Sequence, residues 1–128
     1  MDVDLVGVAR LARLQAEQPA IAEAIFTARE LAYCAGKRRR VEHLAARFAA
    51  KEAVLKAFGT GLGQRMHWTD VEIVNEAVGR PRVCLRGEVA AWAERRGLTD
   101  LDVSLSHTGD LAIAQAVAVW RRHPAPGW

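Results

Sequence analysis

The sequence predicts an α+β domain in which one long central helix packs on a mainly antiparallel sheet. Three observations carry that prediction. Period-two alternation opens and closes the chain, an unbroken helix-forming run of about twenty residues occupies its middle, and strands and helices follow one another without a regular βαβ repeat. The length of 128 residues suits a single core. We assign that domain to residues 1–120 and a tail to 121–128, since His123-Pro-Ala-Pro-Gly-Trp128 reads as neither helix nor strand.

In chain order, residues 2–8 alternate as a short strand, with Asp2, Asp4, Val6 and Val8 on one face. A basic amphipathic helix is expected from Ala9 to about Glu17, carrying Arg10 and Arg13 on one side. Thr27-Ala-Arg-Glu30 is a capping box, in which Thr27 caps a helix and Glu30 reaches back, and Gly36 ends that helix. The long helix is expected from Arg39 to Phe58, stopping at Gly59-Thr-Gly61. Residues 69–75 and 81–86 alternate as strands around Gly79-Arg-Pro81. A helix from Glu88 to Arg96 follows, and Leu101–Ser106 and Leu111–Trp120 form a hairpin through His107-Thr-Gly-Asp110.

Composition narrows the function classes. A hydrophobic share of 51% against a charged share of 26% belongs to a folded, soluble chain rather than a disordered one. The net charge is only +3, but Lys37-Arg38-Arg39-Arg40 concentrates it, which favours a phosphate-bearing ligand, an acidic protein or nucleic acid. Scattered tryptophans and few aromatics argue against a base-stacking surface, so nucleic acid is not expected. Cys34 and Cys84 lie far apart with no metal-type spacing and read as free thiols of a reducing cytoplasm. The acidic start Met-Asp-Val-Asp is unlike a signal peptide, and no apolar run spans a bilayer, so no membrane is expected.

The long helix holds the puzzle of the sequence. Leu44, Phe48, Leu55 and Phe58 form one stripe at about 100° per residue. Lys51 falls inside that stripe and Glu52 on its flank, with Lys56 one turn beyond Glu52. Buried charges need partners or a metal. Either the lysines pair with Glu52 or extend to solvent, or the carboxylate binds a cation with the lysines arranged for phosphates. Gly59 and Gly61 permit close backbone approach to a ligand, although the spacing is not that of a Walker loop. A helix C-terminus repels anions, so phosphate there would need Lys56 and a metal to reverse the local field.

Three blocks of the sequence then match a known pattern. They are Asp4-Leu-Val-Gly-Val-Ala-Arg10, then Arg39 through Gly61 with Leu44-Ala-Ala-Arg-Phe-Ala-Ala-Lys-Glu-Ala53 and Lys56-Ala-Phe-Gly-Thr-Gly61, and Val103-Ser-Leu-Ser-His-Thr108 followed by Ala112-Ile-Ala-Gln115. Together with Phe26-Thr27, Glu30-Leu31 and Gly79-Arg-Pro81, they resemble the small bacterial holo-acyl-carrier-protein synthases, a class of 4′-phosphopantetheinyl transferase, over residues 2 to about 119. The central block is highly specific; the other two are modest alone.

The resemblance implies the fold of that class and transfer of the phosphopantetheine arm of coenzyme A to a serine of an apo carrier protein, releasing adenosine 3′,5′-bisphosphate. It implies Mg²⁺ as cofactor, and a homotrimer with active sites between adjacent subunits. Asp4 and Glu52 match the metal-binding acids. Glu52, directly or through a water, is the candidate general base, and Lys56 would stabilise charge on the moving phosphate. Arg39, Lys51, Lys56, Gly59, Gly61, His107 and Thr108 are the expected coenzyme contacts. Arg10, and Arg13 by its position, are the expected contacts to the acidic carrier protein. A lone Gln115 on an apolar strand face needs hydrogen-bond partners, which symmetry copies or ordinary backbone would supply.

The chain also departs from the family pattern. Gly7 stands for a usual acid, Ala24 for a usual basic residue, His43 for a usual aromatic and Ala46 for a usual glycine. The Ala24 change leaves a fatty-acid or a polyketide carrier equally open. The rival reading is a non-catalytic basic module for an acidic protein or nucleic acid, in which Asp4 and Glu52 have no role and binding falls steeply with salt.

Overall fold

The computed structural model describes residues 1–76 and 79–122. Strands β1 (Asp2–Gly7), β4 (Leu98–Thr108) and β5 (Leu111–Trp120) form one antiparallel sheet in the order β1–β5–β4. Strands β2 (Val71–Asn75) and β3 (Pro81–Leu85) form a separate antiparallel pair. Helices α1 (Val8–Glu17), α2 (Ile21–Ile25), α3 (Ala28–Ala35), α4 (Arg40–Phe58) and α5 (Gly87–Arg95) complete the described chain. Among these residues no helix is long and apolar enough to cross a membrane.

The expected long helix is α4, with Arg39 at its N-cap. Its packing on the sheet follows from small side chains on both surfaces. Ala112, Ala114 and Ala116 alternate along β5 toward α4, which answers with Ala45, Ala46, Ala49, Ala50 and Ala53, all buried. The register then places Asp4 opposite Ala114, and Ala114 opposite Leu105, so Asp4 shares the helix-facing side of the sheet.

The apolar stripe read from the sequence understates the burial of α4. Leu44, Val54, Leu55 and Phe58 are buried, but so are the alanines and the charged Arg47 and Lys51. A helix sealed on most sides lies between two layers rather than on one. Here the sheet covers one side while β2 and α3 cover another.

Several elements differ from expectation: Val8, expected in the first strand, opens α1. Strand β4 begins at Leu98 rather than Leu101, because Gly97 at φ 81° reverses the chain directly and Leu98 pairs with Trp120. It ends at Thr108 rather than Ser106, since His107 pairs with Ala112 and Thr108 with Leu111, which leaves Gly109-Asp110 as the turn. Trp68–Asp70 forms a 3₁₀ turn before β2, held by the Asp70 carboxylate accepting from the His67 backbone N–H at 3.0 Å. The short α2 was not anticipated. The capping box forms in both directions, with Thr27 N–H donating to Glu30 at 2.8 Å and Glu30 N–H to Thr27 at 3.2 Å. Arg121 and Arg122 of the expected tail are exposed, and 123–128 lie outside the described residues.

Candidate active site

Strand β1 and the C-terminal half of α4 bring Asp4, Glu52 and Lys56 together. Lys56 Nζ lies 3.2 Å from Asp4 Oδ1, which also accepts from the Leu5 backbone N–H at 3.2 Å. Asp4 Oδ2 is buried without a hydrogen-bond partner among the described residues. Glu52 faces this carboxylate. Burial first, then the negative charge of Asp4, pushes the Glu52 pKa up to about 7, against the pull of Lys56 and Arg10. Two acids held this close, one with an orphaned buried oxygen, form a site that a divalent cation would relieve. The chemistry of the donor set therefore fits such an ion, and Lys56 pairs with Asp4 rather than with Glu52.

A cleft of about 260 Å³ adjoins the pair between β1, α1 and α4, lined among others by Val6, Gly7, Arg10, Leu11, Phe48 and Glu52. Gly7 is the N-cap of α1 and makes no side-chain cap. A Cβ there would meet Arg10 Cβ at 3.7 Å, an ordinary van der Waals contact. Arg10 and Arg13 are exposed on α1.

Lys51, expected among the coenzyme contacts, lies elsewhere. Its side chain is 0% exposed and its ammonium sits 2.8 Å from Glu30 Oε1. Nζ also donates to the Trp68 carbonyl at 3.0 Å and to the Val71 carbonyl. Burial pushes this ammonium below its ordinary range despite the pull of Glu30. With its three donors engaged inside the protein, Lys51 has none left for a phosphate. It binds neither Glu52 nor solvent, so both sequence readings of Lys51 are corrected.

Gly59 and Gly61 adopt left-handed backbone, at φ 79° and 60°, and neither would place a Cβ within 4 Å of another group. Their glycine requirement is conformational, and the loop they make is exposed one turn past Lys56.

The remaining candidates gather at the other end of α4. Arg39 Nε lies 3.5 Å from Glu42 Oε2, and His107 Nδ1, near the end of β4, lies 3.8 Å from the same oxygen. Thr108 is exposed beside it. The His43 ring packs edge-on to His107 at 4.9 Å between centroids and to Tyr33 at 6.3 Å. Burial, then the neighbouring His107, pushes the His43 pKa below its ordinary value, so a neutral ring stands where the family pattern has an aromatic. Sequence reasoning missed Glu42; its i,i+3 spacing from Arg39 was the available signal. Glu42 and Glu52 are ten residues apart on α4, about 15 Å along its axis.

The family model described as "4′-phosphopantetheinyl transferase superfamily" matches residues 3–116. A holo-[acyl-carrier-protein] synthase of Geobacter sulfurreducens is 46% identical over 116 residues, spanning 90% of this chain and 92% of its own length. The chain belongs to the 4′-phosphopantetheinyl transferase superfamily. Among solved structures of the superfamily, the holo-[acyl-carrier-protein] synthase from Neisseria meningitidis superposes with a TM-score of 0.85 at 33% identity, covering 92% of this chain and 95% of that one. The synthase from Helicobacter pylori in complex with coenzyme A superposes with a TM-score of 0.81 at 26% identity, covering 92% and 98% respectively. The predicted α+β architecture, with α4 on the antiparallel sheet, is therefore that of a known transferase fold.

Proposed function

We infer that this chain is a Mg²⁺-dependent holo-[acyl-carrier-protein] synthase of fatty-acid or polyketide biosynthesis. It transfers the 4′-phosphopantetheine arm of coenzyme A to a serine of an apo carrier protein. Family membership supports the reaction class, as do relatives that share the name over nine-tenths of the chain. The observation that carries the site is the Asp4–Glu52 pair with Lys56 at its edge.

Asp4 and Glu52 would hold the cation, which when bound neutralises pyrophosphate oxygens. Among the described residues no cluster of three or more His, Cys, Asp or Glu side chains converges, so the protein's share of such a site would be these two carboxylates. The serine hydroxyl attacks the pantetheine-bearing phosphorus, the pyrophosphate P–O bond breaks, and adenosine 3′,5′-bisphosphate leaves. Glu52 takes the serine proton, directly or through a water it orients. Lys56 is half-exposed and donates to oxygens gaining charge on the transferred phosphoryl group. Arg39 suits forked recognition of a coenzyme phosphate. Gly59, Gly61, His107 and Thr108 complete the coenzyme contacts, and Arg10 and Arg13 present positive charge to the acidic carrier.

A homotrimer with sites between neighbours fits the surface. The outer sheet face exposes Val3, Leu5, Ile113, Val117 and Val119, each 41–58% exposed, around Gln115, whose amide among the described residues donates to the weak acceptor Met1 Sδ. A shared site would also unite the Asp4–Glu52 end of one copy with the His107 end of another. A reducing cytoplasm suits the free Cys34 and Cys84.

The test is intact mass of a panel of apo carrier proteins incubated with the protein, coenzyme A and Mg²⁺. One phosphopantetheine added to at least one carrier is expected. No modification of any carrier would overturn the reading.

A further inference from the structure

Glu42 occupies the first turn of α4, where the helix dipole favours an acid. Its side chain is only 14% exposed. One oxygen, Oε2, lies between Arg39 Nε at 3.5 Å and His107 Nδ1 at 3.8 Å. Both Oε2 and Nδ1 are sealed from solvent, and neither has a hydrogen-bond partner among the described residues. An orphaned buried acceptor thus faces an orphaned buried nitrogen, at a gap wider than the roughly 2.7–3.2 Å of a formed bond.

We propose that Glu42 is a positioning residue: it holds the Arg39 guanidinium and the His107 ring in one arrangement and keeps the neutral ring's proton on Nδ1. The proposal rests on the reading of Arg39 and His107 as coenzyme contacts. Its physical basis is that the tautomer of an imidazole is set by the bond its other nitrogen makes. With the proton on Nε2, the Nδ1 lone pair would point at a carboxylate lone pair inside a sealed pocket. With the proton on Nδ1, the same contact becomes attractive. His43, stacked edge-on at 4.9 Å with Tyr33 behind it, limits the tilt of the His107 ring.

Nδ1 is sealed, so the 23% exposure of the His107 side chain belongs to its other atoms. In the Nδ1–H tautomer, Nε2 is a hydrogen-bond acceptor. In that tautomer Glu42 orders an anion-binding donor, Arg39, together with an acceptor, His107 Nε2. That pair suits a ligand carrying both a phosphate and an N–H or O–H donor, which coenzyme A does.

The test compares the wild-type chain with Glu42→Ala and Glu42→Gln by two readouts. The first is the ¹⁵N NMR spectrum of the His107 imidazole, followed with pH until the ring is neutral, which reports which nitrogen then carries the proton. The second is the separation of KM from kcat in carrier modification. Wild type is expected to show Nδ1–H. Glu42→Ala should move His107 toward Nε2–H and raise the KM for coenzyme A about tenfold, with kcat and the carrier KM within about twofold. Glu42→Gln, whose amide oxygen still accepts from Nδ1–H, should restore the tautomer and most of the KM. A wild-type Nε2–H ring, or one unchanged in Glu42→Ala, would overturn the proposal. A tautomer that moves while the coenzyme KM stays fixed would overturn the positioning role and leave the transferase reading standing. That reading fails separately, if wild type modifies no carrier.

Discussion

Lys51 and Lys56 stand five residues apart on α4 and occupy opposite physical regimes. Lys51 is sealed in the interior, with all three donors placed: Glu30, the Trp68 carbonyl and the Val71 carbonyl. The other oxygen of Glu30 accepts from the Ile73 backbone N–H at 2.8 Å, so one ion pair ties α3, α4 and β2 together. Lys56 is 54% exposed, makes one contact to Asp4, and borders an acid pair that lacks enough partners. A fully satisfied polar cluster holds a fold, whereas an open and frustrated one is available for chemistry.

The largest expected effect attacks the satisfied cluster. Lys51→Met leaves Glu30 buried without its cation and should cost about 3–5 kcal/mol in a denaturant melt. Adding Glu30→Gln should recover part of that loss, because the stranded charge is gone. A Lys51→Met protein as stable as wild type would break the contrast between the two lysines.

The open cluster should respond in the reverse way. Asp4→Asn and Glu52→Gln should each lower carrier modification at least about 100-fold, while stability stays level or rises as the acid–acid repulsion disappears. Lys56→Met should lower the rate about 10- to 100-fold and shift stability by less than about 1 kcal/mol, since its ion pair is half in solvent. Unfolding of the Asp4 or Glu52 variants would make this end of α4 structural.

The smallest effect sharpens the account through pH. Without metal, the raised Glu52 pKa means that the folded state binds more protons than the unfolded one between the usual glutamate value, 4.5, and about 7. That group's stabilisation is complete below the lower value and is lost as pH rises through the upper one. Melts in chelator should therefore fall in midpoint across this window, and Glu52→Gln should remove that part of the slope.

What the sequence disclosed depended on how far apart interacting partners lie in the chain. Local signals were legible. The Thr27–Glu30 box, the Gly59 stop and the period-two faces of β1 and β5 need only neighbouring residues, and they placed Asp4 on one face with Asp2 and Val6, which the structure turns toward α4. Lys51 was misread because spacing offered Glu52 next door, while its actual partner lies 21 residues earlier on another helix. The exposure of α4 was misjudged for the same reason, since its second covering layer comes from β2 and α3. Glu42 escaped notice because half of its setting, His107, arrives from β4. The Asp4–Glu52 pair was reached through family likeness; periodicity showed only that Asp4 shares a strand face with Val6 and that Glu52 flanks the apolar stripe.

The most direct test is Mn²⁺ binding, followed by electron paramagnetic resonance in the presence of coenzyme A, with Mn²⁺ standing in for Mg²⁺. The expected result is one bound ion per chain in wild type, with binding severely weakened in both Asp4→Asn and Glu52→Gln. Equal binding by wild type and both variants would show that these acids do not share a cation and would contradict the account at its centre.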